Sequence, residues 1–214
     1  MKIDLHVHTA EHSICGKAPA VEMLRTARAR GVEGVVITDH MHQLSKRERN
    51  ALQKAVPGVR VFWGIELSVR EPDSGRFDHV LVVTDEPCGI VNALAPDDVD
   101  RLAAFGKRTG ALTILAHPFR RQEIVIDFEL FTPDAIEIAS YNTPEERRAE
   151  IEAIAAENGM RIVAGSDAHV LVRVGRYGID SDKPVRTERG LARAIRAGAF
   201  RLLGVAAARC AAAP

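Results

Sequence analysis

The sequence has little of several features that would point to a particular class of protein. Lysine plus arginine number 29 and aspartate plus glutamate number 29, so the formal net charge is zero. That balance argues against broad wrapping of nucleic acid or binding to an anionic membrane surface, although it is compatible with a local basic patch. Aromatic residues make up 5% of the chain, which leaves few surfaces on which single-stranded bases could stack.

Cysteines and long apolar runs are also scarce. The three cysteines, Cys15, Cys88 and Cys210, are odd in number and widely spaced, which predicts reduced thiols and not a disulfide framework. Because no run of about 18 apolar residues occurs, we expect no membrane-spanning helix. The chain starts with a strand-like pattern that leaves no room for a signal peptide. Together these features predict a cytoplasmic protein.

Short apolar runs alternate with helical patterns along the 214 residues, which favours βαβ units in a single domain. We expect that domain over residues 1–204 and an Ala-rich tail over 205–214. The predicted strands lie at about 2–8, 33–38, 59–67, 79–84, 111–116, 134–140, 161–166 and 200–203. The predicted helices cover 18–30, 46–55, 96–109, 144–158 and 187–197. Seven or eight strands in this order indicate an α/β barrel related to the TIM barrel, with the active site at the carboxyl ends of the strands.

Two details of the strands bear on the site. The segment between Glu66 and His79 is too short for a crossover helix and contains a turn signal at 72–75, so we expect an antiparallel hairpin. A turn centred between residues 72 and 73 would place Glu66 opposite His79. Because side chains alternate along a strand, we expect Asp4, His6 and His8 on one face, with the apolar residues 5 and 7 on the other.

Histidines and acids cluster at the predicted strand ends. Seven of the eight histidines fall in this pattern, and His42 lies outside it. The motifs are His6-Val-His8, His12, Thr38-Asp39-His40, Gly64-Ile65-Glu66, Asp78-His79, Ala116-His117-Pro118 and Ser166-Asp167-Ala168-His169. Imidazoles and carboxylates that converge from several strands are the ligands of zinc, manganese or iron. The pattern predicts a multinuclear metal site.

These motifs, in this order over residues 1 to about 176, closely resemble those of the PHP family, named for polymerase and histidinol phosphatase. The resemblance implies a distorted (β/α)7 TIM-like barrel, the PHP fold, with two or three divalent metal ions. Carried across motif by motif, it implies a first metal bound by His6, His8, Glu66 and Asp167. Glu66 would bridge to a second metal completed by His79 and His117, and a third would take His12, His40 and His169. The complete ligand set favours a catalytic over a vestigial site.

The charge of such a centre also suggests phosphate chemistry. Two or three divalent ions bring about four to six positive charges, whereas Glu66 and Asp167 are the only anionic ligands in the implied set. The excess positive charge would attract a phosphate dianion and stabilise the transition state of phosphoryl transfer. Water held between two metals about 3.5–4 Å apart ionises near neutral pH and can attack phosphorus in line. The group that protonates the leaving oxygen is left open between Asp39 and a metal-bound water.

Other residues are candidates for supporting roles. Asp4, Asp39 and Glu137 could fix the tautomers of the ligand histidines. Arg120, Arg173 and Arg176 lie near the predicted mouth and could bind phosphate. Arg121 is expected on a solvated face.

Three functions compete. The leading one is hydrolysis of a small phosphomonoester, because the neutral charge and single domain suggest a compact pocket. A phosphodiesterase or exonuclease acting on short nucleic acids is the runner-up, and a non-catalytic metal-binding module is the third. No membrane or required protein partner is expected.

Overall fold

The computed structural model describes residues 1–70, 75–86 and 99–205. Its strands are β1 Lys2–Val7, β2 Gly34–Ile37, β3 Arg60–Arg70, β4 Phe77–Val83, β5 Leu112–Ala116, β6 Ala135–Ala139, β7 Arg161–Ala164, β8 Gly178–Ser181 and β9 Phe200–Leu203. Its helices are α1 Ala20–Ala29, α2 Lys46–Ala55, α3 Val99–Thr109, α4 Arg148–Glu157 and α5 Glu188–Ala197, with a 3-10 turn at Glu145–Arg147 before α4. Within these residues no helix has the length and apolar character needed to span a bilayer.

The strands form one nine-stranded sheet in the order β7-β6-β5-β4-β3-β2-β1-β8-β9. The sheet curls into a nearly closed barrel, because the end of β1 meets the segment after β7 through a parallel bridge between Val7 and Ala168. Strands β1 to β3 are parallel to one another, as are β5 to β7, whereas β4 is antiparallel to both β3 and β5. The mixed α/β barrel that we expected is therefore present in outline.

The strict (β/α)7 pattern is interrupted in two places. A hairpin joins β3 to β4, and the described connection from β5 to β6 contains no helix. Strand β8 was not predicted from the sequence and pairs antiparallel with β1 and β9. Of the predicted helix at 96–109, residues 96–98 lie outside the described part of the chain, as do residues 206–214 of the expected tail.

The hairpin is antiparallel, as expected, but the predicted register is wrong. Glu66 stands opposite Leu81, and His79 stands opposite Ser68, so the pairing is displaced by two residues. Part of the turn, residues 71–74, lies outside the described residues. Because side chains alternate with a period of two, a displacement of two keeps Glu66 and His79 on the same face of the sheet.

The alternation expected along β1 is also wrong. The register with β2 shifts between Asp4 and Val7, which marks a β-bulge that inserts one extra residue. As a result Leu5 packs with the cluster that contains Phe62, whereas Val7 packs with the cluster formed around α1. The bulge separates Asp4 from His6 and His8, which both turn toward the carboxyl end of the barrel.

Local sequence signals explain several helix boundaries. Ser45 accepts a hydrogen bond from the Glu48 amide while the Glu48 carboxylate accepts one from the Ser45 amide, so α2 begins with a capping box. Thr187 caps α5 at its start, and Gly198 ends it in the left-handed conformation that glycine adopts at little cost.

Candidate metal centre

Glu66 lies at the centre of the histidine cluster, fully buried in β3. Its Oε1 atom is 2.7 Å from His79 Nδ1 and 3.0 Å from His117 Nε2. Its Oε2 atom is 3.1 Å from both His8 Nε2 and His40 Nδ1. The two oxygens of one carboxylate therefore face two different sets of imidazoles.

The first set contains His6, His8, Glu66 and Asp167. Five of the separations between their facing atoms lie between 3.0 and 3.5 Å. Ligand atoms that share an ion at about 2.0–2.2 Å stand about 3.0–3.5 Å apart. Within the described residues, Glu66 Oε2 and Asp167 Oδ1 are buried without a suitably oriented hydrogen-bond donor. Buried carboxylate oxygens without donors are costly unless a cation faces them, so this set fits a divalent metal.

The second set contains Glu66, His79 and His117. In addition to their contacts with Glu66, His79 Nδ1 and His117 Nε2 lie 3.4 Å from each other. Asp167 Oδ2 is 3.9 Å from His117 Nε2, which puts the two sets side by side. The donor atoms that the sequence assigned to a second metal are thus brought together around Glu66 Oε1.

The third set differs from the expected one. His8 is stacked between His40 and His169, with ring centroids 4.6 and 4.3 Å away. One donor atom each of His8, Cys15, His40 and His169 lie within 4.8 Å of one another. His12 is not part of this group.

His12 instead lies beside His42 and Glu48. The rings of His12 and His42 are stacked with centroids 3.7 Å apart, and His12 Nε2 is 2.9 Å from Glu48 Oε1. The capping box holds Glu48 at the start of α2, so the contact with Glu48 keeps His12 near that end of the helix. The structure therefore does not bring His12 together with His40 and His169.

Hydrogen bonds on the outer ring nitrogens fix the tautomers of His6 and His169. His6 Nδ1 donates to Glu137 Oε1 over 3.0 Å, and His169 Nδ1 donates to the Asp167 carbonyl over 2.9 Å. Because Nδ1 of each ring donates in these bonds, Nε2 of both rings is left available to bind a metal. Glu137 also accepts from the His117 amide over 2.8 Å. Glu137 therefore supports two of the predicted ligands.

The other two acids predicted to support the site hold backbone and hydroxyl groups. Asp39 accepts hydrogen bonds from the Thr9 amide, the Thr9 hydroxyl and the Ser13 hydroxyl. Ser13 Oγ is in turn 3.4 Å from His8 Nδ1 and accepts from the His40 amide. Asp39 thus acts on His8 through Ser13 and not by direct contact.

Asp4 binds the segment that carries Asp167. It accepts from the Ser166 amide, the Ser166 hydroxyl and the Gly175 amide over 2.6–2.9 Å. Burial raises the pKa of Asp4 to about 6, although these hydrogen bonds oppose the shift. Asp4 therefore positions the backbone around Asp167 and does not orient an imidazole.

Charges within the cluster alter its proton affinities. Burial alone would lower the pKa of His6, but the carboxylates of Glu137, Asp167 and Glu66 outweigh burial and raise it. Burial alone would raise the pKa of Glu66, but His79, His6 and His8 hold it well below its usual value. His40 behaves differently, because burial lowers its pKa to about 4. Protons on the buried imidazoles thus offset the carboxylate charge when no metal does.

Two residues of the cluster occupy unusual backbone conformations. His117 has φ 28° and Asp167 has φ 47°, a region that L-residues other than glycine rarely adopt. Such strain commonly marks functional positions that the surrounding structure holds in place. Asn142, which the sequence analysis did not assign to the site, donates its side-chain amide to Asp167 Oδ2. A polar residue directly after a strand was the only sequence signal for this contact.

A pocket of about 190 Å³ opens beside the cluster. Arg120 and Arg121 line it, together with His79, His117 and Cys15. The loop that carries the two arginines is anchored by Arg147, which lies 3.8 Å over the Phe119 ring and pairs with Glu123. Among the described residues, no carboxylate forms a salt bridge with Arg120 or Arg121.

The remaining predicted arginines do not line this pocket. Arg173 lies 4.3 Å over the Tyr141 ring, and Arg176 donates to the Val172 carbonyl. The sequence instead predicts a solvated face for Arg121. Arg121 is indeed exposed, but it lines the pocket.

Two family models and a curated relative match parts of this chain. A family model described as PHP-associated matches residues 145–200, and a family of unknown function, DUF6282, matches residues 2–69. A protein of Acetivibrio thermocellus named probable phosphatase is 25% identical over 207 residues, which cover 82% of each chain.

Two solved structures share the fold at low sequence identity. A protein of Bifidobacterium adolescentis assigned as a metal-dependent phosphoesterase has a TM-score of 0.59 and 16% identity, covering 78% of this chain and 87% of its own. An amidohydrolase of Chromobacterium violaceum has a TM-score of 0.63 and 16% identity, covering 82% of this chain and 90% of its own.

Proposed function

The chain belongs to the PHP family of metal-dependent phosphoesterases and is a hydrolase, and from that premise we propose that it hydrolyses a small phosphomonoester at a centre of two or three divalent metals. Residues 1–204 would form the single domain that carries this activity. The observation that carries the proposal is the position of Glu66, whose two oxygens face separate sets of imidazoles.

The contacts of each residue indicate which metal it would hold. His6, His8, Glu66 Oε2 and Asp167 would hold the first ion, and His79, His117 and Glu66 Oε1 the second. His40 and His169 would contribute to a third. Manganese, iron and zinc all accept imidazole and carboxylate ligands, so the ligand types suit each of them. When bound, the metals would ionise a water molecule near neutral pH and offset the charge of the phosphoryl group.

The surrounding residues hold this arrangement in place. Glu137 keeps His6 in the tautomer that presents Nε2, and Asn142 fixes the second oxygen of Asp167. Both carboxylate oxygens of Asp39 accept hydrogen bonds from Thr9 or Ser13. We therefore propose that Asp39 positions the loop next to His8. That assignment favours water over Asp39 as the proton donor to the leaving group.

The pocket suggests the size of the substrate. A volume of about 190 Å³ is below the range of about 300–1,000 Å³ typical of drug-sized ligands. Arg120 and Arg121 on its wall offer planar donors for phosphate oxygens. Arg173 and Arg176 are engaged elsewhere, so a long basic groove built from all three predicted arginines is not supported. These features favour a small monoester over an oligonucleotide.

The test is phosphate release by manganese-reconstituted protein from a panel of small phosphomonoesters, with short oligonucleotides assayed alongside. The Asp167→Ala variant is the control for a contaminating phosphatase. Monoester turnover that disappears in this variant is the expected result. Cleavage of oligonucleotides alone would instead establish a nuclease, whose substrate binding should weaken steeply with salt because several phosphate contacts release counterions. If the metal-bound protein hydrolysed neither kind of substrate, the result would favour a non-catalytic metal-binding module.

A further inference from the structure

We propose that Cys15 supplies a thiolate ligand to the third metal, in the place that the sequence pattern gave to His12. The inference rests on the proposed metal centre and adds a sulfur donor to it. The third position would then be a mixed histidine and cysteine site that prefers a thiophilic ion such as zinc over manganese.

The loop between β1 and α1 holds Cys15 against His169. The Lys17 amide donates to the His169 carbonyl over 2.8 Å, and the Gly16 amide donates to the Ser13 carbonyl over 2.9 Å. A Cβ atom at Gly16 would lie 2.3 Å from the Thr9 carbonyl oxygen, so this close turn requires glycine. The turn closed by Gly16 and Ser13 and the hydrogen bond from Lys17 to His169 together fix the position of the Cys15 backbone.

Three histidines surround Cys15 and present ring nitrogens of the kind that bind metals. Its Sγ and one ring nitrogen each of His8, His40 and His169 lie within 4.8 Å of one another. The Asp167 carbonyl already occupies His169 Nδ1, which leaves Nε2 of that ring available. The buried Glu66 Oε2 atom, which has no suitably oriented donor in the described residues, lies 3.1 Å from His40 Nδ1. Glu66 Oε2 also faces His8 of the first set, so this carboxylate lies between the first set and the group around Cys15.

Charge balance explains why a cysteine would suit this metal position. The imidazoles of His40 and His169 are neutral ligands, and Glu66 is already shared by the first two sets. A thiolate would supply the negative charge that a third divalent ion otherwise lacks here. Thiolates bind zinc and other thiophilic ions much better than manganese, so Cys15 would also govern which metal occupies this position.

Cobalt(II) titration of the metal-free protein tests the proposal. A thiolate bound to cobalt(II) gives a sulfur-to-metal charge-transfer band in the near ultraviolet, which imidazole and carboxylate ligands do not. We expect this band in the wild-type protein, its loss in Cys15→Ser and its retention in His12→Gln. Absence of the band from wild type, or its survival in Cys15→Ser, would overturn the proposal.

A second variant separates ligand loss from misfolding. Cys15→Asp restores an anionic ligand without sulfur, so it should lack the band but bind more metal per chain than Cys15→Ser. Equal metal content in wild type and Cys15→Ser would count against Cys15 as a ligand. Phosphatase activity is measured separately, so that a cobalt–thiolate band without turnover would leave this assignment standing and refute only the proposed function.

Discussion

Glu66 Oε1 lies 2.7 Å from His79 Nδ1, although in the sheet Glu66 stands opposite Leu81 and His79 opposite Ser68. The contact runs diagonally across the β3–β4 hairpin, a distance that a glutamate and a histidine can bridge. It frees the other oxygen of Glu66 to face His8 and His40. This relationship makes Glu66 the residue that joins the sets.

Replacing Glu66 with glutamine should abolish activity and lower the bound metal content, because it removes the negative charge shared between two ions. We expect phosphate release to fall by roughly a hundredfold or more, as for other groups that stabilise transition-state charge. Metal analysis of the purified variant and a phosphate-release assay would measure both effects. Glu152→Gln, on the exposed side of α4, is the matched control. Retained activity in Glu66→Gln would contradict the assignment.

Glu137→Gln should weaken metal binding without removing a ligand. The amide is a poorer acceptor than the carboxylate for the Nδ1 proton of His6, so the ring loses orientation and basicity. Partners of this kind typically contribute about 10–100-fold to metal affinity, and competition with a fluorescent chelator would measure the change. An unchanged affinity would mean that Glu137 serves only the His117 amide.

Gly165→Ala should destabilise the fold and disturb the metal centre together. A Cβ atom there would lie 2.5 Å from Glu137 Oε1 and 2.8 Å from His6 Cβ, and overpacking of this kind costs about 1–3 kcal/mol. Gly106→Ala in α3 is the matched control, since its nearest neighbour is 3.9 Å away and alanine favours a helix by about 0.5–1 kcal/mol. Urea denaturation should therefore give unfolding free energies that change in opposite directions.

Arg120→Ala should raise KM for a small monophosphate by about tenfold, the effect of losing roughly 1.4 kcal/mol of binding, while kcat changes less. Arg120 lines the pocket, and its guanidinium would contact the phosphate before and during reaction. Arg25→Ala, on the exposed side of α1, is the control for loss of a surface charge. A larger effect from Arg176→Ala would instead place the substrate on the other side of the mouth.

Metal binding should release protons at neutral pH. The pKa of His6 is raised in the metal-free protein, so this imidazole carries a proton at pH 7 that the metal must displace. The pKa of His40 is lowered to about 4, so His40 has no proton to lose. Affinity and activity should therefore fall as pH drops from 8 toward 5. Calorimetry in buffers of different ionisation enthalpy counts the protons, and a flat profile would contradict a histidine-rich centre.

The sequence indicated most of the residues that cluster, because their chemistry is visible in the residue types. Histidines and acids at strand ends indicated a metal centre, and alternation of apolar runs with helical patterns indicated a barrel that gathers those ends. These signals are local, and they survive errors of a few residues in strand boundaries. The two-residue error in the hairpin register is an example, because it left Glu66 and His79 on the same face.

Other features depended on packing that no local pattern records. The bulge in β1, which separates Asp4 from His6, arises from the register with β2 and not from a residue type. The position of His12 beside Glu48, and of Cys15 beside His169, was decided by the hydrogen bonds of one loop. Motif spacing favoured His12 and did not indicate that Cys15, three residues later, would lie beside His169. The sequence by itself determined that histidines and acids would gather at the strand ends, and the tertiary structure decided which of their atoms face one another, because only long-range contacts fix the direction of a side chain.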